Sequence, residues 1–559
     1  MNPAQLLAHF DRISEAPDAI PRLRRFILDL AVRGKLVEQD PNDEPEAELL
    51  KRIQAGNERQ IIVGEIKKQG TIHEIQADEA WFNIPASWYW VRLGMITQVH
   101  MGQSPPGETY NKTGEGIPLI NGPVEFTEGP FGKTVVNQYT TSPTNLCEEG
   151  DLLLCVRGST TGRTNIAAFR ACIGRGVAAI RPLFFSQYVH LFIWWLRPSI
   201  IAMGRGIAFP SVSRQQIQEL PIPLPPLPEQ HRIVAKVDEL MALCDHLEAA
   251  KAERESQRDQ LIAASLHHLN SSADADASRE HARFYLNHLP RLTIRPEHIK
   301  QLRRTILNLA VRGRLVPQDP NDEPAATQLA ISNRTRKEIA KQDRRADAGL
   351  QPLLAAEDRW EIPTSWSWLA LADLVLFIDY RGQTPSKVDQ GVRLITAKNI
   401  KKGFINLFPE EFLSETNYHT WMTRGFPKEG DILFTTEAPM GNAAVVRLSE
   451  RFALAQRVIC FRSYGGISTD FMVLQLLAEP FQFILDKTAT GLTAKGIKAA
   501  KLKRLPIAIP PLAEQHRIVA KVDELMALCD QLETQLTTTQ ADSRRLLEVM
   551  LHRALGEHI

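Results

Sequence analysis

The chain has 559 residues, of which 43% are hydrophobic and 23% are charged, and its formal net charge is +1. This length exceeds what one hydrophobic core organises and predicts three or four folded units. The near-neutral charge excludes a uniformly basic nucleic-acid-binding protein, so any such surface must be local.

Cysteine usage and hydropathy narrow the class of protein further. The six cysteines show no CxxC spacing and no paired histidines, which argues against zinc and disulfides and favours the reducing cytoplasm. The N-terminal stretch MNPAQLLAHFDRISEAP lacks the basic and apolar regions of a signal peptide. The longest apolar runs, such as FIWWL at 192–196, fall far short of the roughly 20 residues of a membrane span. We expect a cytoplasmic protein with no membrane partner.

The first predicted element lies in an N-terminal helical frame segment, residues 1–83. Leu23, Ile27, Leu30 and Ala31 form one apolar stripe at helical spacing. The following QDPNDEP predicts a turn, because its prolines and its Asn-Asp pair do not continue a helix. Short β-rich runs separated by Gly and Pro, such as DLLLCVRGS at 151–159, then indicate a compact α/β insert over 84–226.

A long helix is predicted after the insert, over residues 227–270. Its apolar residues step by +4, +3, +4 and +3, the seam of a two-helix coiled coil; they are Ile233, Val237, Leu240, Cys244 and Leu247. The polar stretch SSADADAS at 271–278 predicts a loop.

The second half of the chain repeats this order. A linker and repeated frame segment (271–361) precede a second insert (362–510) and a C-terminal coiled-coil helix (511–559). The seam of that helix is Ile518, Val522, Leu525, Cys529 and Leu532. We predict a mixed α/β (α+β) fold with a pseudo-twofold internal repeat, in which long antiparallel coiled-coil helices separate two globular domains.

Near-identical stretches show that the repeat is a duplicated module. LAVRGKLVEQDPNDEP returns as LAVRGRLVPQDPNDEP, IPASWYW as IPTSWSW, and EGDLL as EGDIL, while EQHRIVAKVDELMALCD occurs twice without a mismatch. All offsets lie between 278 and 285 residues, too long for a solenoid. The sequences of the two intervening inserts differ from each other. This favours a repeated frame that carries two domains of different specificity.

No motif indicates catalysis. His231 and His516 stand where a helix begins and are interpreted as helix-anchoring residues; Cys244 and Cys529 fall on the apolar seam. GLTAKGIK lacks the Lys-Ser/Thr of a phosphate loop. SPPG and IPPL lack the aromatic residue of an amino-methyltransferase motif, and QDPNDEP lacks spaced metal ligands. We expect no catalytic, cofactor or metal site.

The insert loops suit nucleic acid better, since Lys, Arg, Asn, Gln, Ser and Thr beside Gly reach phosphates and base edges. Against this stands the interpretation of each residue as an ordinary exposed loop residue, and of the basic tail KTATGLTAKGIKAAKLKRLP at 487–506 as a solvated face. The candidates in the first insert are Gln103, Ser104, Asn121, Lys133, Arg157, Ser159, Thr161, Arg163, Arg205, Ser211, Ser213 and Arg214. Those in the second are Tyr380, Arg381, Gln383, Thr384, Lys398, Asn399, Lys401, Lys402, Gln456, Arg457, Thr493, Lys495 and Lys498.

The repeated frame with GQTP, EGDIL and LPIPLPPLPEQHRIVAKVDEL resembles the specificity subunit of type I restriction-modification enzymes over nearly the whole chain. The resemblance implies that each insert is a target recognition domain reading one half of a bipartite, asymmetric site in double-stranded DNA. It also implies that the helices set the spacing between the two half-sites and dock two methyltransferase subunits. Two motor-nuclease subunits would join that complex. S-adenosylmethionine, ATP and Mg chemistry would belong to those partners, and this chain would not be an enzyme. The long N-terminal frame segment departs from the family's pattern.

Two alternatives stay open. One is a scaffold that does not bind DNA and holds two copies of a partner on its duplicated helices. The other is a single-chain DNA methyltransferase with an unrecognised site, which would bind S-adenosylmethionine by itself.

Overall fold

The computed structural model describes most of the chain. It leaves out residues 1–15, 17, 45–47, 50, 54, 56–74, 76–78, 128–131, 204–210, 272–274, 344–349, 355, 381–384, 492–494 and 556–559. The described residues form two compact units: unit 1 comprises 1–254 with 540–559, and unit 2 comprises 255–539. Each unit joins a frame segment, an insert and parts of the long helices, so the units cross the boundaries that the sequence predicts.

The architecture is mixed helix and sheet. The helices are α1 (Ala19–Val32), α2 (Leu93–Ile96), α3 (Ser186–Met203), α4 (Arg214–Gln218), α5 (Leu227–Ser271), α6 (Ala275–Leu292), α7 (Pro296–Val311), α8 (Ala325–Gln342), α9 (Leu371–Leu374), α10 (Glu415–Trp421), α11 (Thr469–Leu477), α12 (Glu479–Thr488), α13 (Ala499–Leu502) and α14 (Leu512–Leu555). None of the described helices is long and apolar enough to span a membrane.

The described residues of unit 1 form three sheets. Their strands are β1 (Tyr89–Arg92), β2 (Thr97–Met101), β3 (Tyr110–Asn111), β4 (Ile117–Ile120), β5 (Tyr139–Thr140), β6 (Leu146–Cys147), β7 (Leu152–Cys155), β8 (Thr164–Ile166), β9 (Ala171–Ile173), β10 (Val177–Pro182) and β11 (Pro221–Leu224). The sheet orders are β1-β11, β2-β10-β7-β8 and β3-β5-β4-β9-β6. Every pairing is antiparallel except β4 with β9.

Unit 2 repeats the two-stranded and four-stranded sheets. Its strands are β12 (Ser367–Ala370), β13 (Val375–Asp379), β14 (Val392–Ile395), β15 (Phe412–Leu413), β16 (Ile432–Thr436), β17 (Met440–Val445), β18 (Phe452–Leu454), β19 (Val458–Ser463) and β20 (Pro506–Ile509). The sheet orders are β12-β20, β13-β19-β16-β17 and β15-β14-β18. The first two match β1-β11 and β2-β10-β7-β8 strand for strand, whereas the third sheet differs between the inserts.

Both faces of each four-stranded sheet are buried, which explains the continuous apolar runs. Along β7, Leu152 and Leu154 point into one core cluster, and Leu153 and Cys155 into another. Successive side chains of a strand point to opposite faces, so only a strand covered on both sides needs apolar residues throughout. The β-rich runs predicted from the sequence are confirmed as strands.

The seams of the long helices pack on the frame helix of the same repeat. Ile233, Val237 and Cys244 share a core cluster with Ile27 and Ala31 of α1. The equivalent seam residues Ile518, Val522 and Cys529 share one with α7 and with the last turns of α5, through Ile299, Leu302, Ile306, Ile262, Leu266 and Leu269. The seam prediction is thus confirmed for these six residues, whereas Leu240, Leu525 and Leu532 are half-buried and Leu247 is 38% exposed. The frame helix is a partner that the prediction did not anticipate.

Ion pairs fix this contact in the same way in both copies. Arg24 of α1 pairs with Asp245 at 2.8 Å and with Glu248 at 2.6 Å. Arg303 of α7 pairs with Asp530 at 2.6 Å and with Glu533 at 3.1 Å. The duplicated sequence therefore encodes a duplicated helix-to-helix contact.

One predicted loop is wrong in part. SSADADAS was expected to be a loop over 271–278, but α6 begins at Ala275 and includes Ala275–Ser278. Alanine has the highest helix propensity, and Asp and Ser are favourable in the first turn of a helix. A polar composition alone does not distinguish a loop from an exposed helix start.

Candidate functional site

In each unit, three loops meet at one edge of the four-stranded sheet. In unit 1, β10 runs antiparallel to β2 and β7, so the ends of β2 and β7 lie beside the start of β10. In unit 2, β19 is antiparallel to β13 and β16 in the same way. Candidates that are more than 50 residues apart in sequence thereby come together.

Backbone hydrogen bonds join three segments at this edge of unit 1. Val156 N donates to Gly176 O at 2.9 Å, and Val212 N donates to Val156 O at 2.9 Å. Next to them, Arg157 and Ser211 form an isolated antiparallel bridge. We call this arrangement junction 1.

Unit 2 holds the same arrangement with different side chains. Thr436 N donates to Arg457 O at 2.9 Å, and Ile497 N donates to Thr436 O at 3.1 Å. Glu437 and Gly496 form the equivalent bridge. In this arrangement, junction 2, Glu437 stands where junction 1 has Arg157.

Junction 1 opens into a cavity of about 590 Å³. It is lined by Ser104, Tyr110, Asn121, Arg157, Gly158, Arg175 and Gly176. The loops pack tightly behind it, since a Cβ on Gly102 would come within 2.2 Å of Gly174 O. Ser104 Oγ accepts a hydrogen bond from Arg175 N at 3.2 Å, which ties the loop after β2 to the loop before β10. The site is preorganised by its backbone and carries exposed cationic side chains.

Several candidates of the first insert lie at this edge. Arg157 and Arg175 are exposed, and so are Gln103, Ser159 and Ser211, while Ser104, Asn121 and Arg163 are half-buried. Lys133 is elsewhere: it bridges to Ile166, which pairs with Leu152 at the opposite end of β7. Arg205 lies outside the described residues.

Three further candidates of the first insert serve their own domain. Thr161 is buried, and its hydroxyl donates to Gly158 O at 2.8 Å. Ser213 caps α4 by accepting from Gln216 N at 3.3 Å. Arg214 donates through Nε to Val99 O at 2.8 Å. These groups hold loops in place, so as base-contacting groups they are poorer candidates than the sequence suggested.

In the second insert, two candidates are likewise structural. Tyr380 is buried, with its hydroxyl donating to Gly425 O at 2.6 Å and accepting from Arg424 N at 2.8 Å. Asn399 is buried, and its amide donates to Asn406 O at 2.9 Å. Both side chains form hydrogen bonds with the backbone of nearby turns. A sequence pattern does not reveal such hydrogen bonds.

The remaining candidates of the second insert divide between two places. Gln456, Arg457, Lys495 and Lys498 lie in the segments of junction 2, where Lys495 pairs with Asp486 at 2.7 Å. The others lie on the segment that follows β14, where Lys401 N donates to Phe404 O in a tight turn; they are Lys398, Lys401 and Lys402. Arg381, Gln383, Thr384 and Thr493 lie outside the described residues.

Sequence reasoning missed Arg175, Tyr110 and Glu437. Arg175 and Gln456 occupy equivalent positions before β10 and β19, because Val177 and Val458 begin those strands. An alignment of CIGRGVAAI with LAQRVICF would have revealed this correspondence. The signal was weak because the inserts share so few residues.

The repeated EQHR stretch takes part in a hydrogen-bond network around a buried glutamate. Glu229 accepts from Trp88 Nε1 at 3.0 Å and from Gln39 Nε2 at 2.6 Å. Arg232 pairs with Asp43 of QDPNDEP at 2.7 Å. In unit 2 the same bonds are made by Glu514, Trp366, Gln318, Arg517 and Asp322.

Three other residues that suggested chemistry also pack within their units. His231 lies against the ring of Phe185, with 3.9 Å between ring centroids. Cys244 and Cys529 are buried, and burial raises the pKa of both thiols, which disfavours the reactive thiolate. Among the described residues, no group of three or more His, Cys, Asp or Glu side chains is placed to hold a metal ion.

Comparisons with known proteins agree with the resemblance seen in the sequence. The sequence model of the type I restriction modification DNA specificity domain matches residues 85–254 and 387–539. The chain is 30% identical to the type I restriction enzyme EcoAI specificity subunit of Escherichia coli, over 96% of this chain and 94% of that protein. It is 27% identical to the EcoEI specificity subunit of Escherichia coli, over the same shares of the two chains.

A solved structure is similar over part of its length. It is the HsdS subunit from Thermoanaerobacter tengcongensis, 28% identical, and the match covers 43% of this chain and 52% of that one with a TM-score of 0.27. The sequence matches are more extensive, since the specificity-domain model covers more than half of the chain and the EcoAI match nearly all of it. The chain therefore belongs to the family of type I restriction-modification DNA specificity subunits.

Proposed function

We propose that this chain is the non-catalytic subunit that recognises the DNA sequence for a type I restriction-modification complex, and that each insert reads one half of a bipartite, asymmetric site. The observation that carries this proposal is the pair of equivalent junctions. Val156–Gly176 and Thr436–Arg457 make the same backbone bond, while Arg157 and Glu437 occupy the same bridge position. Two domains with the same backbone but oppositely charged side chains at one position are suited to recognise different DNA sequences.

The long helices present equivalent apolar side chains to solvent. Leu243 is 53% exposed and Leu528, its counterpart in the repeat, is 38% exposed, although neighbouring seam residues are buried. Exposed apolar residues at matched positions favour the docking of two equivalent partners. These would be two methyltransferase subunits, joined by two motor-nuclease subunits. S-adenosylmethionine, ATP and Mg would be bound by the partners.

Sequence-selective DNA binding by the assembled complex tests this function. Fluorescence anisotropy would measure the affinity of the complex for two duplexes at several salt concentrations. One duplex carries the site that the complex methylates in cells, and the other carries a scrambled sequence. We expect the specific duplex to bind about 10³-fold or more tightly, and both affinities to fall steeply with salt. Equal affinity for the two duplexes would favour the scaffold alternative. Binding of S-adenosylmethionine by the chain alone would favour the methyltransferase alternative.

A further inference from the structure

Two residues with side chains adopt left-handed backbone conformations at junction 2. Among the described residues, the non-glycine residues with positive φ are Ala438 at 43° and Arg457 at 73°, and both belong to this junction. In junction 1 the position equivalent to Ala438 is Gly158, with φ of 78°. Positive φ is costly for a residue with a Cβ, and such strain concentrates at functional sites.

Polar side chains lie beside these strained residues. Arg457 is exposed, and its Nε lies 3.8 Å from Glu437 Oε2. Gln456, the residue before it, is half-exposed. Junction 2 therefore displays an acid, an amide and a guanidinium group together, and Lys495 and Lys498 are exposed on its third segment.

Junction 1 displays a different chemistry on the same backbone. Arg157 and Arg175 both line its cavity and are exposed, and among the described residues no carboxylate lines that cavity. Asn121 and Ser104 are the neutral polar groups beside them. The bridge to Ser211 holds the backbone of Arg157, so the guanidinium group projects from a fixed point.

We propose that the bridge position shared by Arg157 and Glu437 selects a base in each half-site: Arg157 reads a guanine, and Glu437 reads the exocyclic amino group of a cytosine. This inference rests on the proposed DNA-recognition function and deepens it. A guanidinium group donates two hydrogen bonds to O6 and N7 of guanine, and a carboxylate accepts one from N4 of cytosine. Arg175 and Gln456 flank these positions and contact the neighbouring base pair or phosphate.

The test uses the complex with its partner subunits and the substitutions Arg157→Ala and Glu437→Ala. Binding would be measured on duplexes in which each base pair of the site is changed in turn. We expect Arg157→Ala to abolish discrimination at one G·C pair of one half-site, a loss of about 5- to 150-fold for the cognate duplex. We expect Glu437→Ala, which removes the acceptor oxygen, to abolish discrimination at one G·C pair of the other half-site only.

Lys133→Ala is the matched control, because Lys133 is an exposed cation of the same domain at the opposite end of β7. We expect its discrimination to equal that of the unaltered complex. A uniform loss across all duplexes in Arg157→Ala, with the salt slope reduced by about 1, would identify a phosphate contact and overturn the proposal. Relaxation at an A·T pair, or unchanged discrimination, would also overturn it.

The outcomes separate this inference from the function on which it rests. If the unaltered complex does not discriminate between duplexes, the proposed function fails. If it discriminates and Arg157→Ala discriminates equally well, only the assignment of the bridge position fails.

Discussion

At the scale of single residues, the duplicated carboxylates Glu229 and Glu514 show how the repeat is conserved within the chain. Each is about 1% exposed and accepts hydrogen bonds from one Trp and one Gln of its own frame segment. A buried carboxylate is tolerated only with such donors, because transfer from water penalises its charge. The identical EQHR stretches therefore reflect two identical hydrogen-bond networks.

These networks predict a pH dependence of stability. Burial raises the pKa of Glu229 and of Glu514 above the ordinary value of 4.5, although the Trp and Gln donors and the nearby Arg232 and Arg517 oppose the shift. The folded state thus binds these protons more tightly than the unfolded state. Their contribution to the free energy of unfolding is fully present below the ordinary Glu pKa and is lost as the pH rises through the raised values.

Urea unfolding between pH 4.5 and 7.5 measures this contribution. The comparison is with the double substitution Glu229→Gln/Glu514→Gln, which cannot ionise at these positions. We expect the unaltered chain to lose stability relative to the variant as the pH rises. Parallel pH profiles would show that the two carboxylates do not titrate with a raised pKa.

The residue scale is also where prediction from sequence was weakest. The hydrogen-bond network around Glu229 joins residues 190 positions apart, and the sequence predicted only that Glu229 lies at the start of a helix. Thr161, Tyr380 and Asn399 carry the side-chain types that bind DNA, but their hydrogen bonds turn inward. Such assignments depend on loop conformation, which no local periodicity encodes.

At the scale of elements, the frame helices were predictable because local rules determine them. The turn at QDPNDEP appears as expected, and the apolar stripe of α1 is confirmed at Ile27 and Ala31, whereas Leu23 and Leu30 are half-buried. Each LAVRG stretch ends its helix with a glycine in the left-handed region, Gly34 at 67° and Gly313 at 69°. A Cβ at these positions would come within 2.4 Å of Pro85 Cγ and 2.5 Å of Pro363 Cγ.

Substitution of these glycines should be more damaging than backbone conformation alone explains. Gly313→Ala combines a left-handed cost of about 1–2 kcal/mol with overlap against Pro363, which adds about 1–3 kcal/mol. Gly430→Ala is the control, since Gly430 has φ of 84° and open space around the added Cβ. Urea denaturation should show the larger loss for Gly313→Ala; equal losses would mean that the Pro363 contact relaxes freely.

The lengths of the long helices α5 and α14 are expected to set the gap between the two half-sites. A helical residue adds about 1.5 Å and a base pair about 3.4 Å. Insertion of four residues into α5 should therefore widen the gap between half-sites by one to two base pairs, as read by methylome sequencing. An unchanged gap would show that helix length does not set the spacing.

At the scale of the whole molecule, the net charge is only +1, and the two surfaces proposed to recognise DNA are local and unlike each other. The duplication was evident in the sequence, because the frame stretches recur at nearly constant offsets. The junctions were not evident, since each combines three segments from distant parts of an insert. Divergence between the inserts, which hid the correspondence, is what two different readouts require.

The central claim is that the two inserts are independent readers of one bipartite site. Residues 386–500 would be replaced by the corresponding insert of another family member, and the methylome would be sequenced in cells that carry the chimera with its partner genes. We predict that one half-site changes while the other half-site and the gap are retained. A change in both half-sites, or in neither, would contradict the account.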